Sequence, residues 1–174
     1  KLKKVATTAK GSLKALDYTF DITRGEDPDL TLAGTGQLTQ KGAITSVRLA
    51  TMDGDFAGRK IALTSPLSLR VEGETLELDR FTLSFGEGEL QASGRLLPAS
   101  VNAEFSFNDL PVDLVELVDP GFDFTGRLNG TGSLAVTKGA SATGEMTLKA
   151  VDLRLVGEEY AELPSFASTV TARL

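Results

Sequence analysis

The sequence predicts an all-β protein in which an elongated, curled, antiparallel sheet forms an open trough with a hydrophobic inner face. Three observations support this fold class. Apolar and polar residues alternate along most segments of the chain, as they do in strands that present different faces to core and solvent. Glycine recurs on the apolar side of these segments. Helical spacing occurs in one short segment, near residues 110–118.

The longest alternating segment, residues 121–138, is predicted to be one continuous strand. Its even positions carry apolar residues and glycine, and its odd positions carry mostly polar residues. Asn129-Gly130 is typical of a two-residue hairpin turn, but a turn there would place Leu128 opposite Thr131 on one face. We therefore expect the strand to pass through this pair, although ordinary strands have about five or six residues.

The other strands follow from the same alternation. Changes of parity predict β-bulges near Ala15, between Leu78 and Phe81, and between Leu148 and Val151. The triplet 53–55, Asp-Gly-Asp, is a turn signal. The remaining predicted strands cover 2–9, 13–22, 30–38, 44–52, 56–63, 67–71, 76–85, 90–96, 101–107, 142–155 and 166–174.

Residues 24–29 contain the densest acidic cluster, Arg-Gly-Glu-Asp-Pro-Asp. Calcium binding would require oxygen ligands at regular spacing in a longer loop, and this segment lacks that spacing. A hairpin turn is the alternative that its Gly, Pro and Asp content favours.

The single helical candidate begins after the strand that ends near Phe107. Asp109 is suited to cap its N-terminus, and Pro111 falls in the first turn, where a missing N–H is harmless. The helix is expected to act as a lid or plug over one end of the apolar face, or simply to connect two strands. The proposed lid residues share one helical face: Leu110, Leu114, Leu117 and Val118.

A four-residue unit recurs in the predicted strands: Ser or Thr, Gly, a polar residue, then Leu or Met. Its glycine occupies a position that points to the apolar side of the strand. Glycine inside a strand weakens it, so the recurrence calls for an explanation. Glycine could allow the sheet to bend or leave space for a ligand, and chance recurrence is the third explanation. The units are 35–38, 93–96, 125–128, 131–134 and 143–146.

Composition excludes several functional classes. The 174 residues include neither His nor Cys, which removes the commonest general base, the commonest metal ligands and any disulfide. The net charge of −6 argues against a nucleic-acid partner. The Gly-x-Gly pairs lack the third glycine of a dinucleotide-binding fingerprint. We therefore expect no enzyme activity, no metal and no cofactor.

An apolar strip that is left uncovered normally binds a ligand or partner, and acyl chains suit it because they need continuous apolar surface. The same residues could instead form an ordinary sandwich core. The expected lining is Leu30, Leu32, Leu38, Leu90, Leu96, Phe105, Phe107, Phe122, Phe124, Leu128, Leu134, Val136, Met146 and Leu148.

Three segments carry a resemblance to a known family. They are Gly88–Leu96 (Gly-Glu-Leu-Gln-Ala-Ser-Gly-Arg-Leu), Phe105–Val115 (Phe-Ser-Phe-Asn-Asp-Leu-Pro-Val-Asp-Leu-Val) and Asp119–Gly130. Their order, a strand with Ser-Gly-Arg-Leu, a Leu-Pro helix, Pro-Gly and a long glycine-patterned strand, resembles the repeating unit of the TamB family of AsmA-like proteins.

The resemblance implies that the chain is one part of a long periplasmic protein that is anchored in the inner membrane. It also implies a β-taco-like fold, in which a curled sheet forms a trough with a hydrophobic inside. It implies phospholipid transfer between the inner and outer membranes, or assistance to outer-membrane protein assembly beside an Omp85-type barrel. A purely structural spacer is the third hypothesis. The chain begins with Lys-Leu-Lys-Lys and ends within a strand-like segment, so we expect residues 1–174 to be one β-rich segment of a larger protein.

Overall fold

The computed structural model describes residues 2–12, 14–25, 29–117, 124–156 and 164–174. Within these ranges the chain forms twelve β-strands and one short 3-10 helix, η1. The elements in order are β1 (Leu2–Ser12), β2 (Ala15–Arg24), β3 (Leu30–Lys41), β4 (Ile44–Phe56), β5 (Arg59–Ser65), β6 (Leu67–Glu72), β7 (Thr75–Phe85), β8 (Gly88–Leu97), β9 (Ser100–Pro111), η1 (Val112–Leu117), β10 (Phe124–Thr137), β11 (Thr143–Leu155) and β12 (Phe166–Arg173).

All of these strands belong to one antiparallel sheet in which neighbours in the chain are neighbours in space. β5 and β6 both pair with β4 and β7, so they are two halves of one strand that is interrupted at Pro66, which has no N–H to donate. The order runs from β1 at one edge to β12 at the other. The prediction of an all-β protein with an open antiparallel sheet and one short helix is therefore confirmed.

Several strands contain β-bulges or other register shifts. The bulge in β7 lies between Leu78 and Phe81, as predicted from the change of parity. The bulge in β11 lies between Ala150 and Leu153 and not between Leu148 and Val151 as predicted, because the pairing with β10 stays regular up to Val151. The bulge predicted near Ala15 is wrong, because β2 begins at that residue and its pairing with β3 is regular. Further bulges lie in β4 and β9. Each one bends its strand and increases the local twist.

The turn predicted at Asp53-Gly54-Asp55 is wrong, since β4 continues to Phe56. The chain instead reverses at Ala57-Gly58, whose φ angles are 50° and 79°. Positive φ at both central residues matches the twist of the flanking strands. The Asp55 carboxylate accepts a hydrogen bond from the Gly58 N–H at 2.8 Å. The Asp-Gly pair therefore marks a nearby turn and not the turn itself.

The long strand is confirmed, because β10 passes through Asn129-Gly130 without a turn. The Asn129 side-chain oxygen accepts a hydrogen bond from the Asp109 N–H at 3.0 Å, which satisfies a donor displaced from the ladder by the β9 bulge. Residues 121–123, the first part of the predicted strand, lie outside the described residues.

The helix is a 3-10 helix that begins later than predicted, at Val112. Asp109 does not cap it: this residue lies in the β9 bulge with a φ of 48°. Leu110, expected to be a lid residue, belongs to β9 and pairs with Leu128. The bulge allows β9 to continue pairing up to Pro111, and strand hydrogen bonds there replace a first helical turn. Leu114 and Leu117 lie in η1, and Val118 lies outside the described residues.

Buried apolar residues concentrate at one end of the sheet, which we call the core end: β4 and β9 finish there, and β5 and β10 begin there. The opposite end, where β8 finishes and β9 begins, is the open end. The described hydrophobic residues that are fully buried are Phe56 (3% exposed), Ile61 (5%), Val112 (2%) and Ala150 (8%).

The sheet exposes far more surface than a compact protein of the same mass. Its accessible surface is 11234 Å², whereas a compact monomer of 18.4 kDa exposes about 8,000 Å². In a sandwich, each sheet has one face covered by the other sheet. A single-layer sheet leaves both faces accessible, so the larger surface is expected.

Candidate functional site: the apolar face of the sheet

Strand register places the predicted lining residues on one face of the sheet, which we call the apolar face. Leu90 pairs with Phe107, Phe107 with Gly130, and Gly130 with Leu148. Paired residues of antiparallel strands point to the same side, so this row crosses four strands on one face. Phe122 lies outside the described residues. The lining residues that the pairing places on this face are Leu30, Leu32, Leu38, Leu90, Leu96, Phe105, Phe107, Phe124, Leu128, Leu134, Val136, Met146 and Leu148.

The apolar face is accessible toward the open end. Leu96 is 43% exposed and Leu134 is 38% exposed. Phe105 and Met146 are exposed to a similar degree, and the other described lining residues are half-buried. A second sheet packed on this face would bury such side chains almost completely. In the described part of the chain, then, these residues form an uncovered surface and not a sandwich core.

Aromatic rings fill the positions that glycine leaves on the apolar face. A Cβ added to Gly132 would lie 2.3 Å from the Phe105 ring, and one added to Gly130 would lie 2.7 Å from the Phe107 ring. These two rings are parallel, with centroids 6.0 Å apart. Because these two positions have no Cβ, the rings lie flat against the neighbouring strand. At these two positions a ring takes the space that glycine leaves, whereas Gly94 of the same recurring unit has no ring within contact distance.

The same arrangement recurs on β2 and β3. The ring of Phe20 lies over Gly34, and the ring of Tyr18 lies over Gly36. In both places an aromatic-x-aromatic segment on one strand faces Gly-Thr-Gly on the next strand. Sequence reasoning found the glycine pairs but not their partners, although the two aromatic segments were a signal that could have revealed them.

Tyr18 is the ionisable side chain most affected by this packing. Its ring is partly covered on the apolar face, and its hydroxyl donates a hydrogen bond to the Arg48 carbonyl at 3.3 Å. Burial raises the pKa of Tyr18 above its ordinary value of 10.0, because the phenolate is less well solvated than the neutral phenol.

A pH titration should detect the raised pKa of Tyr18. In a Tyr160→Phe protein, Tyr18 is the remaining tyrosine, and we expect its absorbance near 295 nm to titrate at higher pH in the folded state than in urea. Folding stability should be unaffected below the ordinary pKa and fall as pH rises above it, since the unfolded chain ionises first. Equal midpoints in the folded and unfolded states would contradict the assigned burial.

At the core end, η1 adds a charged contact to the apolar face. The Arg59 guanidinium at the start of β5 donates to the Asp113 carboxylate in η1. Both side chains are half-buried, and Val112 beside Asp113 is the most deeply buried large side chain described. At the core end, η1 therefore takes part in a buried apolar cluster, while the apolar residues at the open end remain accessible.

The opposite, polar face carries ion pairs and shallow grooves. Arg80 lies 3.2 Å from Glu104, and Arg127 donates to Asp152, whose carboxylate raises the pKa of the guanidinium. Exposed pairs of this kind contribute little stability. Grooves of about 250 Å³, 410 Å³ and 420 Å³ are lined mainly by polar-face residues, among them Gln91. These grooves thus lie on the side away from the predicted lining.

Candidate metal ligands do not cluster in the described ranges: no group of three acidic, His or Cys residues is close enough to hold an ion there. Glu26, Asp27 and Pro28 of the predicted acidic turn lie outside these ranges.

Among the helices of the described chain, none has the length and apolar character needed to cross a bilayer.

Comparison with known proteins adds no family to this description. No family model, curated protein or solved structure matches the chain. The geometry of the apolar face and the sequence resemblance are therefore the two observations that bear on function.

Proposed function

We propose that the apolar face binds phospholipid acyl chains, and that the chain carries them as a non-enzymatic part of a lipid conduit. The observation that supports this proposal most directly is the patch of accessible apolar side chains formed by Phe105 of β9, Leu134 of β10 and Met146 of β11. Apolar patches of this kind normally bind a ligand or partner. By its resemblance to the TamB family, the conduit would join the inner and outer membranes across the periplasm.

The chemistry of the face suits acyl chains better than polar ligands. Each methylene group that leaves water contributes about 0.8 kcal/mol, and no directional partner is required. In the described residues no polar or charged side chain is fully buried, so this part of the face offers little to anchor one headgroup at a fixed point. Similar rows repeat from strand to strand, which suits movement along the sheet more than tight retention.

A charge on the apolar face should abolish lipid loading. We expect Leu134→Asp to reduce cross-linking of a photoactivatable phosphatidylethanolamine at least tenfold, because an acyl chain would have to desolvate the carboxylate. The measurement is mass spectrometry of the purified chain after irradiation with vesicles that contain the probe.

Thr131→Asp provides the matched control for this experiment. Thr131 lies on the same strand, is exposed, and points to the polar face, so it adds the same charge without altering the apolar surface. Wild-type cross-linking of Leu134→Asp, or equal loss in both variants, would contradict acyl binding at this face.

A second candidate function is a scaffold for outer-membrane protein assembly, beside an Omp85-type barrel bound by other parts of the protein. The edge strand β12 favours it, because all of its residues are exposed and its described pairing is with β11 alone. An extended client segment could add to this edge through main-chain hydrogen bonds. Leu134→Asp should leave such binding intact, so peptide binding that survives without lipid loading would favour the scaffold.

A further inference from the structure

The position of η1 follows from the ion pair that holds it. Asp113 comes three residues after Leu110 of β9, while Arg59 lies on β5, three strands away in the order β5-β7-β8-β9. That separation is about 14 Å at the usual strand spacing. The main chain of η1 lies beside β10, so it is the two side chains, which meet, that bridge the ends of β8 and β7.

The Arg59–Asp113 contact lies on the apolar face. Arg59 pairs with Phe56, and Phe56 pairs with Leu30, a residue of the apolar face. Phe56, Ile61 and Val112 are all buried at this end. At the other end of the same face, Leu96 and Leu134 remain accessible. Between β4 and β10 the face thus changes from covered at the core end to accessible at the open end, whereas Phe166 of the edge strand β12 is exposed although it lies at the core end.

This contact would obstruct an acyl chain at the core end. A hydrocarbon that entered there would have to displace η1 and separate Arg59 from Asp113, which would leave two half-buried charges without their partner. Unpaired charges beside apolar material are strongly unfavourable. The open end presents no such pair among the described residues of its apolar face.

We propose that η1 closes the core end of the apolar face, with the Arg59–Asp113 pair as its latch, so that acyl chains occupy only the part toward the open end. This inference rests on the proposed function, and it adds a direction to it: acyl chains enter and leave at the open end until the latch is released. The segment therefore has a gating role and is more than a connector between β9 and β10.

Site-specific photo-cross-linking tests the inference in the folded chain. A benzophenone side chain is placed at Phe85, which is the last residue of β7 at the core end, or at Phe105 on the same face. Both replacements exchange one aromatic ring for a larger one. With phosphatidylethanolamine vesicles we expect at least tenfold more lipid adduct from position 105 than from position 85.

Releasing the latch should change only the core-end result. Arg59→Ala is expected to raise the adduct at position 85 at least fivefold, with little change at position 105. The exchanged pair Arg59→Asp with Asp113→Arg should restore the low value, because it rebuilds the contact with reversed charges.

The possible outcomes distinguish a failure of the proposed closure from a failure of the proposed acyl-chain binding. If the chain with Arg59 and Asp113 intact gives equal adducts at positions 85 and 105, the closure is overturned while acyl binding remains in place. Adducts at neither position would overturn both. If Arg59→Ala fails to fold, the comparison of positions 85 and 105 with the latch intact still decides between closure and an open core end.

Discussion

Replacing Phe56 with alanine is expected to lower the free energy of unfolding by about 3–5 kcal/mol. The side chain is 3% exposed and lies at the core end, where β4 meets β3 and β5. The structure has few fully buried side chains among its described residues, so neighbouring groups offer little material to refill the cavity. Urea unfolding followed by far-UV circular dichroism measures the change through the shift in midpoint.

Phe166→Ala is the matched control, because it removes the same atoms from a position that is 49% exposed on the edge strand β12. We expect a loss of about 1 kcal/mol or less, in proportion to the apolar area that folding removes from water. Equal losses for the two variants would show that stability is spread evenly over the sheet and not concentrated at the core end.

Replacing Gly36 with alanine is expected to destabilise the fold by about 1–3 kcal/mol, as overpacking does in a close-packed interior. The new Cβ would lie 2.3 Å from the Arg48 carbonyl oxygen and 2.4 Å from the Tyr18 ring. The ring could move, but the carbonyl belongs to the paired strand β4 and cannot move without breaking the ladder. Thermal and urea unfolding measure the loss.

Gly94→Ala is the control for this substitution. Gly94 occupies the same place in the recurring four-residue unit, but the nearest atom to an added Cβ is 3.3 Å away. Alanine also restricts the unfolded chain more than glycine does, so we expect a change within about 0.5 kcal/mol. If both variants lose stability equally, the close approach of the Arg48 carbonyl and the Tyr18 ring is not the reason for glycine at position 36.

Much of the apolar face was predictable because side-chain direction in a strand is a local property. Leu128, Leu134 and Val136 alternate with polar neighbours, and a period of two assigns them to one face without knowledge of any partner strand. The all-β class, the long β10 strand and the parity change in β7 followed from the same rule.

The features that the sequence missed depend on residues distant in the chain. The helix starts at Val112 and not near Asp109, because the β9 bulge and Asn129 of β10 together keep Leu110 in the ladder. Aromatic rings cover the glycines because β2 and β9 lie beside β3 and β10 in a particular register. Neither partner can be read from the local pattern.

The amino-acid sequence alone determined that this chain forms strands with one apolar face, since alternation every second residue fixes side-chain direction within each strand. Only the tertiary structure decided which part of that face is covered. The burial of Phe56, Ile61 and Val112 at the core end accompanies the contact between Arg59 of β5 and Asp113 of η1, which joins residues 54 positions apart. Such a contact depends on strand order and register, and these are set by the whole sheet.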